Sequence, residues 1–335
     1  MKAVSLSKLG GPEQLNLIET PTPEPQAGHV RVKLHASALN RRDVWITLGQ
    51  YPGIRLPCSM GSDGAGTIDR LGPDVPTELL GQEVVIYPAY DWGSDTRFPS
   101  PSFRVLGMPD PGTFAEFICV PASHVFPKPT FLNWQQAAAI PLAGLTAWRA
   151  LMTQAAAQPG ETVLVTGIGG GVATFALKWA VGLGARTFVT SGNADKLEQA
   201  CQLGAAGGID YHMENWPKQL AEMTGGVDVV IDGTGGNNFP GCLALLKPGG
   251  RLVVYGATAG APSAGLDMVR LFFRQTRIIG STMGSPAEFA AMLNFMVEHH
   301  IEPVIDQVFA LDQVVAAHQR LLSAQNLGKI VLRHA

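Results

Sequence analysis

The sequence predicts an α/β chain in two parts, a β-rich first part and a doubly wound parallel sheet after it. Three observations predict this. Thr162–Val165 is a short β-branched apolar run, the glycine-rich stretch Gly167–Gly171 follows at once, and Ala173–Gly184 repeats its apolar residues at helical spacing. Strand, glycine turn and helix in that order are the parts of a dinucleotide-binding βαβ unit. The glycines let the backbone approach a pyrophosphate, and the helix start offers free N–H groups and a positive dipole end. The spacing departs from a plain G-x-G-x-x-G, with Ala173 in the last small-residue position. Second, strand and helix patterns alternate from Thr162 to Thr282. Third, the residues up to Pro121 read as short strands between turn signals.

In the first part, Lys2–Leu6, Leu15–Glu19 and Val30–Ala36 alternate or run apolar, with a proline-rich hinge over Thr20–Pro25. Gly64–Asp69 and Glu83–Pro88 continue the pattern, and Gly81–Val85 has the form of a strand entering a small barrel. Tyr90–Pro111 is polar, rich in Gly, Pro and Ser and without periodicity, so it reads as a surface loop. Gly112–Pro121 returns to strand character, and helical spacing takes over at Trp134–Ala150. Strand Thr187–Ser191 then leads to helix Ala194–Leu203, and strand Gly208–Tyr211 to helix Trp216–Met223. Strand Val227–Ile231, helix Asn238–Leu246, strand Arg251–Tyr255 and a last strand Arg277–Thr282 complete the alternation. Near-continuous apolar strands between helices mark a parallel sheet covered on both faces. Pro286–His299 and Asp312–Ala324 are amphipathic helices and Gly328–Leu332 is a closing strand. That tail has no place in a six-strand sheet and is expected to return to the first domain.

Composition narrows the function classes. A length of 335 residues suits two domains, and 46% hydrophobic with 15% charged residues fits two packed cores and not a disordered chain. A net charge of −3 without a basic block gives no footprint for nucleic acid or an acidic membrane surface. Met1–Leu6 is too short and mixed for a signal peptide, and no apolar run approaches the roughly 18 residues that span a bilayer. Cys58, Cys119, Cys201 and Cys242 are far apart and form no C-x-x-C pair. The expectation is a reduced, cytoplasmic protein.

The order of parts, with particular motifs, resembles the medium-chain dehydrogenase/reductase superfamily over essentially the whole chain. The motifs are Gly61-Ser-Asp-Gly-Ala-Gly66, Gly112-Thr-Phe-Ala-Glu116, Pro141-Leu-Ala-Gly-Leu-Thr-Ala147, the glycine loop, Lys247-Pro-Gly-Gly-Arg-Leu252 and Gly328-Lys-Ile-Val-Leu332. The resemblance implies a GroES-like β-rich barrel domain over 1–125 and 286–335, and a Rossmann dinucleotide-binding domain over 126–285. Zinc alcohol dehydrogenases of the superfamily hold a catalytic metal with Cys, His and Cys. Matched motif to motif, Asn40 stands in the first Cys position, Ser62 replaces the His beside Asp63, and Leu142 replaces the second Cys. Zinc needs about three protein ligands, and of these four only Asp63 would serve. The loop Tyr90–Pro111, where a structural zinc would be held, has no cysteine. The expectation is therefore no metal, as in the zinc-free quinone oxidoreductase-like branch. His299 and His300, adjacent on a helix, point apart and read as solvated.

Cofactor choice is read at the end of the second Rossmann strand, where an NAD site places an Asp or Glu on the ribose diol. Here Val189-Thr-Ser-Gly-Asn193 has no acid before Asp195. Ser191 and Lys196 suit a ribose phosphate, and Tyr211 matches a tyrosine of the 2′-phosphate pocket in similar quinone reductases, so NADP(H) is expected. The first turn places Gly169, Gly170, Gly171 and Val172 at the pyrophosphate. Gly233 and Thr234, then Tyr255, Gly256 and Ala257, end two strands along the dinucleotide path. Ser281, Thr282 and Met283, with Thr146, are expected at the nicotinamide. Asn326 and Lys329 are added from the returning tail by resemblance alone.

The chemistry implied is hydride transfer to a quinone, enone or other conjugated carbonyl, with a hydrogen-bond donor in place of zinc. Asn40, Arg42, Trp45 and Tyr51 are the candidates, Asn40 first because resemblance puts it where a ligand would face the nicotinamide. Related reductases pair the strand matching Arg277–Thr282 across a two-fold axis, so a homodimer is expected. Two alternatives stay open at this stage: an alcohol dehydrogenase with unusual metal ligands, and a non-enzymatic NADPH sensor.

Overall fold

A computed structural model describes residues 1–263 and 265–334. The chain forms two compact units: Met1–Ala143 with the returning segment from Gly284 onward, and Gly144–Met283 between them. The segment 126–143, expected with the second unit, clusters with the first. Trp134 packs against His35 with ring centroids 4.3 Å apart and the planes tilted by 34°, and the Leu142 N–H donates to Asp63 Oδ1 at 2.8 Å.

In the first unit, Lys2–Leu6 pairs with Leu15–Glu19 and Cys58–Ser59 in one small sheet. The larger sheet runs Val125–Pro127, Glu83–Ile86, Asp63–Leu71, His29–Ala38, Lys329–Arg333, Ile305–Ala310, with Phe117–Pro121 also on His29–Ala38. His29–Ala38 alternates buried and partly exposed residues at first and ends in three buried ones, where it lies between Asp63–Leu71 and Lys329–Arg333. Packing of Val4, Leu6, Leu39, Ile46, Phe114 and Leu332 makes one core, and Val30, Val32, Ile68 and Val84 belong to another.

The tail returns to this unit as expected, and it brings one strand more than its pattern indicated. Ile305–Ala310 is a half-exposed edge strand carrying Asp306 and Gln307, so it lacks the apolar alternation that marks a strand. Gly328 is required just before the last strand: its φ is +91°, and a Cβ there would lie 2.2 Å from Val304 O. The helical stretch expected at Trp134–Ala150 is broken at Pro141 into Trp134–Ala138 and Pro141–Trp148, and continues as a π-helix over Arg149–Gln154. The expected loop Tyr90–Pro111 holds one short pairing, Ala89–Tyr90 with Arg104–Val105.

The second unit is a six-stranded parallel sheet in the order Gly207–Asp210, Arg186–Ser191, Thr162–Val165, Val227–Asp232, Leu246–Val254, Arg277–Gly280. That is the doubly wound order in which the first two strands in the sequence lie beside each other and the fourth starts the other half. Thr162–Val165 is buried along its whole length, which is why its residues are apolar without alternation. The helix after it spans Gly171–Gly182, starting and ending two residues earlier than its apolar spacing indicates. A further helix, Met268–Phe273, was not signalled because its apolar residues are exposed, Phe272 at 63% and Phe273 at 74%.

Candidate active site

The polar centre of the first unit is built from strand ends. Asp63 opens the strand Asp63–Leu71 and Lys329 opens Lys329–Arg333, and these two strands flank His29–Ala38 on either side. Two residues past that central strand comes Asn40, at the N-cap of helix Arg41–Thr47. Lys329 Nζ donates to Leu39 O at 2.7 Å, to Asn40 Oδ1 at 2.7 Å and to Asp63 Oδ2 at 2.8 Å. Asn40 Nδ2 donates to Asp63 Oδ2 at 2.9 Å, and Thr113 Oγ1 donates to Asp63 O at 2.7 Å. Lys329 is 3% exposed and Asp63 fully buried.

The helix Arg41–Thr47 orients the other candidates. Asp43 in its first turn accepts the Asn40 backbone N–H at 2.7 Å. Arg42 turns inward, its Nη1 donating to Ser62 Oγ at 2.7 Å and Leu106 O at 2.9 Å, while its guanidinium lies 4.8 Å from the Tyr51 ring centre. Arg42 is thus a brace between loops and a cation–π partner for Tyr51. The Tyr51 ring is half-buried against the core, and its hydroxyl has no hydrogen-bond partner among the described residues. Trp45 is half-buried on the same helix. Sequence reasoning passed over Arg41, whose guanidinium has no ion-pair partner among the described residues and whose pKa is lowered by burial. Burial also pushes the Asp43 carboxyl up to about 6, against the pull of Arg42 and the Asn40 N–H.

Zinc does not fit this donor set. Asp63 already accepts from Leu142, Asn40 and Lys329, Ser62 Oγ donates to Leu106 O at 2.8 Å, and the place between Asn40 and Asp63 is taken by an ammonium. A divalent cation there would meet a positive charge and one carboxylate.

In the second unit, the ends of the parallel strands surround a pocket of about 210 Å³ lined by Thr166, Gly167, Thr190, Tyr211, Thr234 and Thr258, among others. Gly167 has φ +62°, and a Cβ there would lie 2.5 Å from Thr234 Cγ2; Gly170, at the N-cap of Gly171–Gly182, faces open space. Gly170 thus leaves the start of that helix open, as an anion at a helix N-terminus would require. The Tyr255 ring lies over Gly233, where a Cβ would meet it at 2.3 Å, and Thr258 N donates to Gly233 O at 3.2 Å, so the Gly233–Gly235 and Tyr255–Ala257 turns form one wall. Sequence reasoning missed the residue that holds the first of these turns. Asp232, an acid closing an otherwise apolar strand, accepts from Thr234 N at 3.0 Å, Thr234 Oγ1 at 2.7 Å and Gly235 N at 3.1 Å.

Ser191 is buried at the end of its strand and accepts the Asn193 N–H at 3.1 Å, while the Lys196 backbone N–H bonds Asn193 Oδ1 at 3.0 Å. Sheet register sets Asp210 opposite Ser191, an acid that sequence separation hid, and His212 Nδ1 lies 3.1 Å from its Oδ1. Thr146 and Met283 are brought together, with Oγ1 3.8 Å from Sδ. Ser281 Oγ is buried without a hydrogen-bond partner among the described residues, and Thr282 is exposed. Asn326 and Lys329 lie on the returning tail, in the first unit. Asn326 Nδ2 donates to Gly328 O at 2.9 Å in the turn before the last strand, and the three Lys329 hydrogens are spent around Asn40.

A barrel unit with a polar centre at its strand ends, and a doubly wound unit with a glycine cradle, define a two-domain dehydrogenase. Residues 26–130 match the alcohol dehydrogenase GroES-like domain, and 171–298 match the zinc-binding dehydrogenase family. The chain belongs to the medium-chain dehydrogenase/reductase superfamily of oxidoreductases. It is 37% identical to the zinc-type alcohol dehydrogenase-like protein YogA of Leptosphaeria maculans, over 96% of this chain and 94% of that one. The quinone oxidoreductase of Mus musculus is 30% identical over 99% and 97% of the two chains. Among solved structures, an NAD-dependent alcohol dehydrogenase superposes with a TM-score of 0.94 at 38% identity, covering 99% of each chain. A cobalt- and zinc-bound thermostable alcohol dehydrogenase from Pyrobaculum aerophilum gives 0.87 at 27%, again over 99% of each chain. Among the described residues, no helix is long and apolar enough to cross a membrane.

The raised Asp43 carboxyl has a measurable consequence. Its folded pKa of about 6 lies above the unfolded value near 3.9, so its stabilising contribution is complete below the unfolded value and is lost as pH rises through about 6. Asp43→Asn keeps an acceptor for the Asn40 N–H and removes the titration. Stability of this variant, measured by chemical denaturation between pH 4 and 8 (a range of about four units), should gain on the parent by up to about 3 kcal/mol as pH rises.

Proposed function

We propose that the chain is an NADPH-dependent reductase of quinones, enones or other conjugated carbonyls that works without bound zinc. The observation that carries this reading is the Asn40 carboxamide, a neutral donor with one Nδ2 hydrogen unassigned, in a centre whose cation is an ammonium. Bound NADPH supplies the hydride. Negative charge then grows on the acceptor oxygen, and a fixed N–H offsets it without the reorganisation water would need. Tyr51 offers a second neutral donor and Trp45 a flat apolar surface for a planar acceptor. Arg42 holds Tyr51 from one face. The names carried by similar proteins, quinone oxidoreductase among them, support the reaction class.

For NADP(H) over NAD(H), the support is local. The second strand ends in Ser191 with no acid on its own turn, Lys196 stands in the first turn of the next helix, and the nearby acid Asp210 lies at ion-pair distance from His212. Each charge-assisted contact to a 2′-phosphate is worth about 1.5–3 kcal/mol. NADPH should therefore bind at least about tenfold more tightly than NADH in a fluorescence titration, and Lys196→Ala should narrow the gap. Equal or tighter binding of NADH would overturn the assignment.

Turnover tests the chemistry. Asn40→Ala at saturating NADPH should lose about 100- to 1000-fold on an enone or aldehyde, with a smaller loss on a quinone, which needs less help with its charge. Tyr51→Phe should lose less than Asn40→Ala. Metal chelators should leave all these rates unchanged. Wild-type rates for both variants on every acceptor would sink the proposed roles.

The same reading includes a homodimer. The edge strand Arg277–Gly280 has a free backbone edge, and the helix before it exposes Met268, Val269, Phe272 and Phe273 at 61%, 59%, 63% and 74%. An apolar helix beside an open strand edge suits a second copy of the same surface. Light scattering at micromolar concentration should give twice the chain mass, falling to one for Phe273→Glu with Phe272→Glu. A monomeric parent protein would refute it.

A further inference from the structure

We infer that Lys329 and Asp63 are positioning residues for Asn40, and that the Lys329 ammonium is the resident cation at the positions that resemblance gives to metal ligands. The inference rests on the proposed donor role of Asn40. Lysine has three N–H donors and no acceptor, and an ionised carboxylate only accepts. Asn40 lies between them, with Lys329 Nζ 2.7 Å from its Oδ1 and Asp63 Oδ2 2.9 Å from its Nδ2. A flipped amide would point N–H at an ammonium and oxygen at a carboxylate, so only one orientation is satisfied.

The hydrogen count leaves one group over. Lys329 spends all three hydrogens, on Leu39 O, Asn40 Oδ1 and Asp63 Oδ2. Asp63 accepts at both oxygens, from Leu142 N at Oδ1 and from Asn40 and Lys329 at Oδ2. Among the described residues, the second Nδ2 hydrogen of Asn40 has no acceptor. A cation on the amide oxygen also draws electron density from the nitrogen, which strengthens that remaining N–H as a donor. Asp63 and Lys329 supply orientation and polarisation, and neither has a hydrogen left for a substrate.

Changing both members together avoids leaving a buried lone charge. Asp63→Asn with Lys329→Met should lower turnover on an enone about 10- to 100-fold, the scale of a misplaced catalytic group. The KM for NADPH should stay within about twofold, because the dinucleotide cradle is untouched. Added to Asn40→Ala, the same pair of changes should cost nothing further, since its effect runs through that amide. The neutral pair Asp63→Asn with Lys329→Gln carries the same test if the first double variant does not fold, since it too leaves no lone charge. An equal loss in the Asn40→Ala background would make the pair merely structural, and wild-type turnover of the pair variant with Asn40 intact would refute the inference alone. If Asn40→Ala itself keeps full turnover, the donor role fails and the inference with it.

Discussion

The ion pair between Lys329 and Asp63 is the constraint around which the first unit is arranged. Its two charges are out of water, and removing one partner of such a pair typically costs about 3–5 kcal/mol. The pair is tolerable because every remaining site on it is satisfied: two carbonyl-type oxygens on the ammonium, a backbone N–H and an amide on the carboxylate. Satisfaction of that kind needs exact registry. Residues 40, 63 and 329 are far apart in sequence, and the sheet brings them together by pairing Ala38 with Asp63 on one side and with Val331 on the other. A slip of one residue in either pairing would turn the charged side chain to the opposite face.

Much of the architecture was legible because burial leaves a pattern. The parallel strands are buried on both faces, so Thr162–Val165 and Val227–Asp232 read as apolar runs, and the glycine turn marked the passage from the first of them to its helix. Elements that escaped are those whose residues answer to something other than a core. Arg41–Thr47 carries polar residues in its first turn because Asn40 and Asp43 serve the polar centre, and Met268–Phe273 keeps its apolar side chains exposed. Ile305–Ala310 is a sheet edge with little to bury.

The candidate site was legible in part, and the missing part is long-range. Asn40 and Tyr51 were singled out by motif, but the partners that fix Asn40 lie 23 and 289 residues away. Asp232 shows the same limit in the second unit, since its carboxylate accepts from Thr166 Oγ1, 66 residues away in the sequence and a neighbour only once the sheet exists. Asp210 is a third case: parallel pairing sets it beside Ser191, while the linear search for an acid ran along a single strand end.

The chain crosses from the first unit to the second and back, so Gly144–Met283 is inserted within the sequence of its host. Synthesis from the N-terminus makes the inserted unit complete while the host sheet still lacks Lys329–Arg333, the strand between His29–Ala38 and Ile305–Ala310. Until that strand arrives, Asp63 has no ammonium, and the inner edge of His29–Ala38 near Ala38 has no partner on one side. The nascent host therefore presents an open β-edge beside an acid without its ion-pair partner, the combination that a chaperone able to shield strand edges would have to cover.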